Sequence, residues 1–349
     1  MLHGETSNIT TGSEENGENI TISNTDTSNW DLDKVNIVYD TDGVAVPVPK
    51  GYVASGADGE HTVNTGFVIY EGDGEVTTEN AWDESCSRNQ WVWIPVPDVS
   101  RIYEIDSNGK KKSKLYNYSS TGRSTYINNG HEPGIVSNYD NEKYFSRYRI
   151  QGITRDKLLY ELQEQLEETI KSIEKYGGFW IGRYETGDLS TKKPVVQRMN
   201  TDIASQTWYT AYTNLQLIGA NNNVKTSMIF GSLWDENLQW LIDTGNKTYA
   251  EISDSTNWGN YNNTTFEYII TNGSILTKAI NSNVVVPTGS TEYTKANNIY
   301  DIAGNIWEWT LDSNGYNARK SYGGGYTNNS LNRSSSSYLA YDPNLSDKR

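Results

Sequence analysis

The chain has a single cysteine, Cys86, and only three histidines, His3, His61 and His131. One thiol forms no disulfide within the chain and leaves no cysteine pair for zinc. Cys86 reads as inert packing rather than a nucleophile. The histidines lack ligand spacing, and His3 sits in a polar stretch, which excludes a three-histidine iron site. No run of about 18 apolar residues occurs, so no membrane-spanning helix is expected. No signal peptide is visible at Met1-Leu2-His3-Gly4, so a signal or anchor of an exported protein is expected outside this sequence. Clustered positive charge is also scarce. The net charge of −15 argues against nucleic acid, whose phosphates need grouped Lys and Arg. The one basic run, Lys110-Lys111-Lys112 with Lys114, adjoins Asn108-Gly109 and reads as a solvated hairpin tip. Two Gly-rich stretches, Gly72-Asp73-Gly74 and Gly323-Gly324-Gly325, lack the lysine and strand-to-helix context of a phosphate loop. There is no Gly-x-Ser-x-Gly elbow. Acid pairs such as Asp83/Glu84 and Asp235/Glu236 are too common among 44 acidic residues to mark a glycosidase.

What is abundant is tyrosine and tryptophan: 25 and 11 residues against only 5 Phe. With 35% hydrophobic residues, the core has to be built largely from amphipathic aromatics. Plentiful Asn, Ser, Thr and Gly favour loops over long helices. Residues 1–30 carry almost no apolar side chains and read as a flexible linker. Residues 31–89 read as a small β-rich segment, with strands at Val35–Tyr39, Val44–Val48, Tyr52–Ala54 and Phe67–Tyr70. Asp42-Gly43 and Asp58-Gly59 are turn signals between them. A main domain is expected over 90–349, opening on the strand Trp91–Val96, with a polar, irregular insertion at about 98–150. Leu158, Leu159, Leu162, Leu166, Ile170 and Ile173 recur at helical spacing, and Gly177-Gly178 follows, so the pattern predicts a helix over 154–176. Further helices are expected at 201–214 and 232–243, the latter capped by Ser232, with Trp234, Leu238, Leu241 and Ile242 facing inward. Short strands are expected at Phe266–Ile270 and Val284–Val286.

The most informative stretch is 299–310, Ile-Tyr-Asp-Ile-Ala-Gly-Asn-Ile-Trp-Glu-Trp-Thr. Trp307 and Trp309 flank Glu308, just after Gly304-Asn305 and downstream of Tyr300-Asp301. Two tryptophans around one carboxylate suggest a packed, polar-centred corner, because each buried indole N–H needs a partner. This block resembles the formylglycine-generating-enzyme (sulfatase-modifying-factor) family, whose fold is a divergent C-type-lectin fold. Four other segments are similar to that family: Gly178-Phe179-Trp180-Ile181-Gly182-Arg183-Tyr184-Glu185, Trp91-Val92-Trp93-Ile94-Pro95-Val96, the stretch Ser232–Leu241, and Ser321-Tyr322-Gly323-Gly324-Gly325-Tyr326. The likeness covers roughly residues 90–349 and implies an α+β architecture of short antiparallel strands with two or three helices. The sequence stops at Arg349, before the strand that usually closes the family domain, so a truncated end is expected.

Asp301 and Glu308 are the best metal-ligand candidates. Both are hard oxygen donors, and the Gly304-Asn305 turn between them lets main-chain carbonyls face the same point, which suits Ca²⁺. The family resemblance implies a structural calcium site here, formed by the side chains of Asp301 and Glu308 and the carbonyls of Gly304 and Ile306. The alternative is a Glu308 that only bonds backbone N–H groups and the indoles. The family's catalytic features are missing: no cysteine follows Gly323-Gly324 to form its copper-binding pair. The chain is therefore expected to be non-catalytic, with no redox cofactor.

Residues Tyr316 to Asp347 consist almost wholly of Tyr, Asn, Ser, Gly, Asp and Leu. Tyrosine gives rigid amphipathic contact area, while Ser, Asn and Gly give adaptable hydrogen bonding, as in antibody contact loops. Within the family this resembles the variable region of diversity-generating-retroelement proteins, where adenine-directed mutagenesis replaces Asn codons. The alternative is a merely polar loop in an Asn-rich chain. The resemblance implies a variable ligand face at about 316–349. Its contact residues would be Tyr322, Tyr326, Asn328, Asn329, Asn332, Ser334, Ser336, Tyr338, Tyr341, Asp342, Asn344 and Asp347, on a floor of Trp307 and Trp309. The expected function is non-catalytic binding of a protein or carbohydrate ligand, by a protein displayed outside a bacterium or on a cell or phage surface. Two rivals stand beside it: an oxidase or modifying enzyme with unfamiliar residues, and a carbohydrate-binding or adhesive protein without diversification. A shallow Tyr-lined face favours binding, and a cluster of carboxylates with raised pKa in a deep pocket favours the enzyme.

Overall fold

The structure, a computed structural model, describes residues 9–11, 20–22, 26–125, 153–189, 193–201, 206–218, 223–313 and 318–343. The protein is α+β, built from several short antiparallel sheets and few helices. Strands β1 (Ile9–Thr11) and β2 (Ile20–Ile22) pair antiparallel. The expected linker therefore contains structure, and its end is docked. Asp26 accepts from the Ser28 N–H to cap a 3-10 turn, and Trp30 is buried against the ring of Tyr176.

β3 (Val35–Tyr39) and β4 (Ala45–Pro49) form a hairpin around Asp42-Gly43, as predicted. The Asp40 carboxylate fixes this turn by accepting from the N–H groups of Asp42 and Val44. Asp58-Gly59 closes no hairpin; it lies in the longer loop between β5 (Tyr52–Ala54) and β6 (Val68–Glu71). Helix α1 (Ala81–Ser87) leads into β7 (Gln90–Pro95). Val68 and Ile69 pair with Val92 and Trp91, so the main sheet runs across the expected boundary at 89/90. Alternation explains the join. Val68, Tyr70, Val92 and Ile94 enter one core with Trp234 and Leu238, while Phe67, Ile69 and Trp93 enter another with Val46 and Val48.

The part of the expected insertion that is described holds four short strands, β8 (Tyr103–Ile105), β9 (Lys111–Ser113), β10 (Tyr116–Ser119) and β11 (Gly122–Thr125). Residues 126–152 lie outside the described residues. The basic run is not free: Lys111 pairs with Glu174 at 3.3 Å and covers the Tyr103 ring. Helix α2 (Arg155–Tyr176) follows the predicted stripe closely. The Thr154 side chain caps its start, Gly177 in the left-handed region ends it, and Leu158, Leu162, Leu166, Ile170 and Ile173 are buried. β12 (Gly178–Gly182) then pairs with β7, completing a four-stranded sheet in the order β12-β7-β6-β5.

Helix α3 (Trp208–Leu215) starts later than predicted, at the Thr207 cap. Helix α4 (Gly231–Asp243) is buried along most of its length. Ser232 is not its cap; the carboxylate of Asp312, distant in sequence, accepts from the Gly231 N–H instead. After α5 (Tyr249–Ser253) come the hairpin of β13 (Phe266–Ile269) and β14 (Ile275–Lys278) and the small pair β15 (Lys295–Ala296) and β16 (Ile299–Tyr300). Val284–Val286 forms no strand, because its polar groups go to Asn260 and Asn305. The chain closes on a sheet of β17 (Glu308–Ser313), β18 (Arg319–Tyr322) and β19 (Tyr338–Tyr341). Among the described residues, no helix is long and apolar enough to cross a membrane.

Candidate functional site

The segment from Asp301 to Trp307 is a tight corner. Asp301, Gly304 and Asn305 have φ of +61°, +79° and +56°, all in the left-handed region. Gly304 is required for a second reason: a Cβ there would collide with the carbonyl of Asn260. The corner locks onto that residue, with Asn260 N–H donating to Ala303 O at 3.0 Å and Asn305 N–H donating to Asn260 O at 2.9 Å. The Asn305 amide then spends all its polar atoms inside. Its Oδ1 accepts from Asn260 Nδ2 and Val286 N–H, and its Nδ2 donates to Val286 O and to Glu185 Oε2 at 2.6 Å. Glu185 Oε1 accepts from the Ile306 N–H at 3.0 Å.

Glu185 was not among the predicted site residues, although the Tyr184-Glu185 end of its segment was noted. It stands just past β12, and the fold brings it 120 residues along the chain to the corner. The signal available in sequence was a lone acid closing an otherwise aromatic segment.

Three carboxyls thus share one place, Glu185 and Asp301 buried and Glu308 half-buried. Asp301 Oδ2 accepts from Thr288 Oγ1 and Gly289 N–H, both at 2.9 Å, but Asp301 Oδ1 has no hydrogen-bond partner. Glu308 Oε2 has none either. Burial pushes all three acids above the usual carboxylate range. Asp301 and Glu308 push Glu185 further, and Asp301 does the same to Glu308. The polar groups of Thr294, Gly289 and Thr288, and after them Arg198, pull Asp301 back. That guanidinium is itself bonded to Glu292 at 3.3 Å. Among the described residues, no group of three or more His, Cys, Asp or Glu side chains is disposed to hold a metal ion. A cation at Asp301 and Glu308 would therefore depend on main-chain oxygens for its remaining ligands.

Both tryptophans are buried. Trp307 donates Nε1–H to Asn328 Oδ1 at 2.8 Å and meets the Tyr341 ring edge-on at 6.0 Å. Trp309 donates to Gln206 O and joins the apolar cluster of α2 and α3, against which Tyr341 packs. Of the expected contact residues, Asn329 and Asn332 are exposed, and Tyr326, Asn328, Ser336, Tyr338, Tyr341 and Asp342 are half-buried. Two expectations are corrected. Tyr322 is 1% exposed, its ring packed on Trp234 and Tyr338. Ser334 is 2% exposed, within 3.3 Å of the hydroxyls of Ser336 and Ser337. The serine run is half structural because its neighbour Ser335 is pinned inside, receiving from Ser255 Oγ and Trp234 Nε1 and donating to Ile252 O. Asn344 and Asp347 lie outside the described residues.

A second group of buried acids lies at α4. Asp235 Oδ2 accepts from Tyr116 N–H at 2.8 Å, and Glu236 pairs with Arg101 at 3.0 Å. Burial raises Asp235 to about 8 and Glu236 to about 7, and lowers the buried Lys320 to about 8. Asp312 and the Tyr322 hydroxyl border the same place, both close to Gly231.

Beside the corner runs a cavity of about 600 Å³. Its lining includes residues of α2 and residues 223–229, among them Lys225 and Glu168, which pair at 2.8 Å. Glu185, Trp307 and Glu308 also line it, together with Trp91, Trp93, Trp180, Tyr184 and Tyr300. Comparisons with protein-family models, with curated proteins and with solved structures find no match to this chain.

Proposed function

We propose that this protein is a non-catalytic ligand-binding domain with a formylglycine-generating-enzyme-like C-type-lectin fold, displayed outside a bacterium or on a phage. It is the variable protein of a diversity-generating retroelement, and its ligand is a protein or carbohydrate on a cell or phage surface. The observation that carries this reading is the Trp307 indole, which ties Asn328 and Tyr341 to the buried corner. A rigid aromatic base under exchangeable polar side chains is the arrangement a recognition face needs. The contact set is Tyr326, Asn328, Asn329, Asn332, Ser336, Tyr338, Tyr341 and Asp342, without the buried Tyr322 and Ser334.

Calcium belongs to the same reading. Asp301 Oδ1 and Glu308 Oε2 are buried carboxylate oxygens of the corner without a hydrogen bond, and they fit a hard cation completed by the carbonyls of Gly304 and Ile306. The ion would supply positive charge that stiffens the corner beneath the face.

The test compares the codons for residues 316–347 with a nearby template repeat. Differences confined to template adenines are expected, and identity or the lack of a template overturns diversification. On the protein itself, Tyr322→Ala should cost about 3–5 kcal/mol in urea unfolding. Asn329→Ala should stay within about 0.5 kcal/mol.

One observation favours a second reading. Glu185 and Glu308, held toward their protonated forms, line a cavity of about 600 Å³. Acids held toward their protonated forms beside a cavity are candidate proton donors, so an interior small-molecule site, catalytic or not, is the runner-up.

A further inference from the structure

The four-stranded sheet ends in an open edge at β12, and the cavity of about 600 Å³ runs along that edge. Arg183 N–H donates to Gln90 O at 3.1 Å, and Val96 N–H donates to Gly177 O at 2.8 Å. Continued through the register Phe179↔Ile94 and Ile181↔Val92, this pattern assigns the bonds to β7 to residues 179 and 181. The N–H and C=O groups of Trp180 and Gly182 therefore point away from the sheet. Among the described residues, none hydrogen-bonds them there. All five residues of β12 line the cavity. Trp180 packs on the core of Phe67 and Trp93, while Phe179 and Ile181 pack on the core of Trp234 and Leu238 across the sheet. A cavity lined from both faces of one strand passes along the edge of that strand. It also reaches the surface, because Glu168, Ser172, Lys225 and Ser227 line it and are exposed.

We infer that this edge takes up an extended peptide of another protein, a run of apolar residues flanked by Lys or Arg, which pairs with β12 as an added strand. Each part of the occupant answers a feature of the edge. Donors and acceptors offered at every second residue match the main chain of a strand, and an open edge is a template for one. Successive side chains of such a peptide turn to opposite sides. They meet Trp91, Trp180 and Tyr52 on one side and Ile181, Ile229 and Ile299 on the other, so apolar residues are needed at consecutive positions. The basic flanks follow from the net charge of −15, which attracts a cationic partner and repels a second copy of this chain. The inference uses neither the C-terminal face nor the acids of the corner, so its failure and the failure of the proposed recognition function are distinguishable.

Titration of the full chain with the peptide acetyl-Lys-Lys-Val-Tyr-Ile-Val-Lys-Lys-amide tests it, with amide hydrogen exchange read by NMR in the saturated complex. Saturable one-to-one binding below about 1 mM is expected. The amides of Trp180 and Gly182 should exchange at least about tenfold more slowly in the complex, while those of Phe179 and Ile181, already bonded to β7, change little. Replacing the four lysines by glutamate should weaken binding by at least about tenfold. Trp180→Pro removes an outward N–H where an edge strand tolerates proline, and Trp180→Val keeps it. The proline variant should bind at least about tenfold more weakly than the valine variant. No saturable binding up to about 1 mM, unchanged exchange at Trp180 and Gly182, or equal binding by the two folded variants overturns the proposal. Equal binding of the glutamate peptide overturns the basic flanks. Sedimentation without peptide should show a monomer. Self-association that Trp180→Pro abolishes and Trp180→Val keeps would give the edge to a second copy and overturn the peptide. If Trp180→Pro fails to fold, exchange in the unaltered chain decides.

Discussion

Two groups of buried acids lie in this molecule, and they are neutralised differently. At α4, Asp235, Glu236 and Asp312 have Lys320, Arg123 and Arg101 acting on them. At the corner, Glu185, Asp301 and Glu308 act mainly on one another, with Arg198 as the cation pulling on Asp301. The first group has cations acting on it and serves the fold, although Asp235 Oδ1 and Asp312 Oδ1 make no hydrogen bond: Asp312 caps α4, and Asp235 holds the start of β10. The second is incomplete in its charges, with no cation acting on Glu185 or Glu308. Buried charge that a protein does not balance internally points to a ligand, because desolvation would otherwise select against it.

The α4 group should dominate the pH dependence of stability. Folded Asp235 keeps its proton up to about 8, whereas in the unfolded chain it is lost near 3.8. Stability from this group therefore falls as pH rises from about 4 to about 8, by an amount on the order of several kcal/mol. Lys320 works the other way. Its folded value of about 8 lies below the ordinary 10.5, so stability recovers as pH rises from about 8 to about 10.5. Thermal melts across pH should show a minimum near 8, and Asp235→Asn should flatten the acid-side limb. An unchanged limb would mean that Lys320 and Arg123 hold Asp235 ionised, and the contrast between the two groups would need redrawing.

The next largest effect belongs to Glu185. Glu185→Ala strands the Ile306 N–H and one N–H of the Asn305 amide, each costing about 1–3 kcal/mol, so denaturant unfolding should register about 2–5 kcal/mol. A neutral result would show that the corner closes without its third acid. The smallest effect is the most discriminating. Ca²⁺ at about 100 times its dissociation constant should raise stability by about 2.7 kcal/mol. Asp301→Asn should abolish that gain and Asp235→Asn should preserve it. If both variants respond alike, the ion has no preference for the incomplete group.

Local signals in the sequence were read well. The stripe of α2, its Thr154 and Gly177 ends, and the Asp42-Gly43 hairpin depend on residues a few positions apart. Pairings between distant residues were not legible. Glu185 meets Asn305 across 120 residues, Asp312 caps α4 across 81, and Asp235 receives Tyr116 across 119. Composition misled at the C-terminus for a related reason. Ser334, Ser335 and Tyr322 have the same side-chain chemistry as their displayed neighbours, and only their partners at Ser255, Ile252 and Trp234 decide that they go inside. The sheet shared across 89/90 was not legible either, because a shift from polar to aromatic composition does not reveal which strands share hydrogen bonds.

Ser330 and Ser335 are both fully buried and fixed to the body, Ser330 by Asn263 and Ser335 by Ser255. The stretch between them is slung from two nails five positions apart, a span of at most about 18 Å even if drawn straight. Leu331, Asn332 and Arg333 can be rewritten in kind, but the wire that carries them has little slack. Novelty at this edge of the protein comes from changing the beads and not from bending the string.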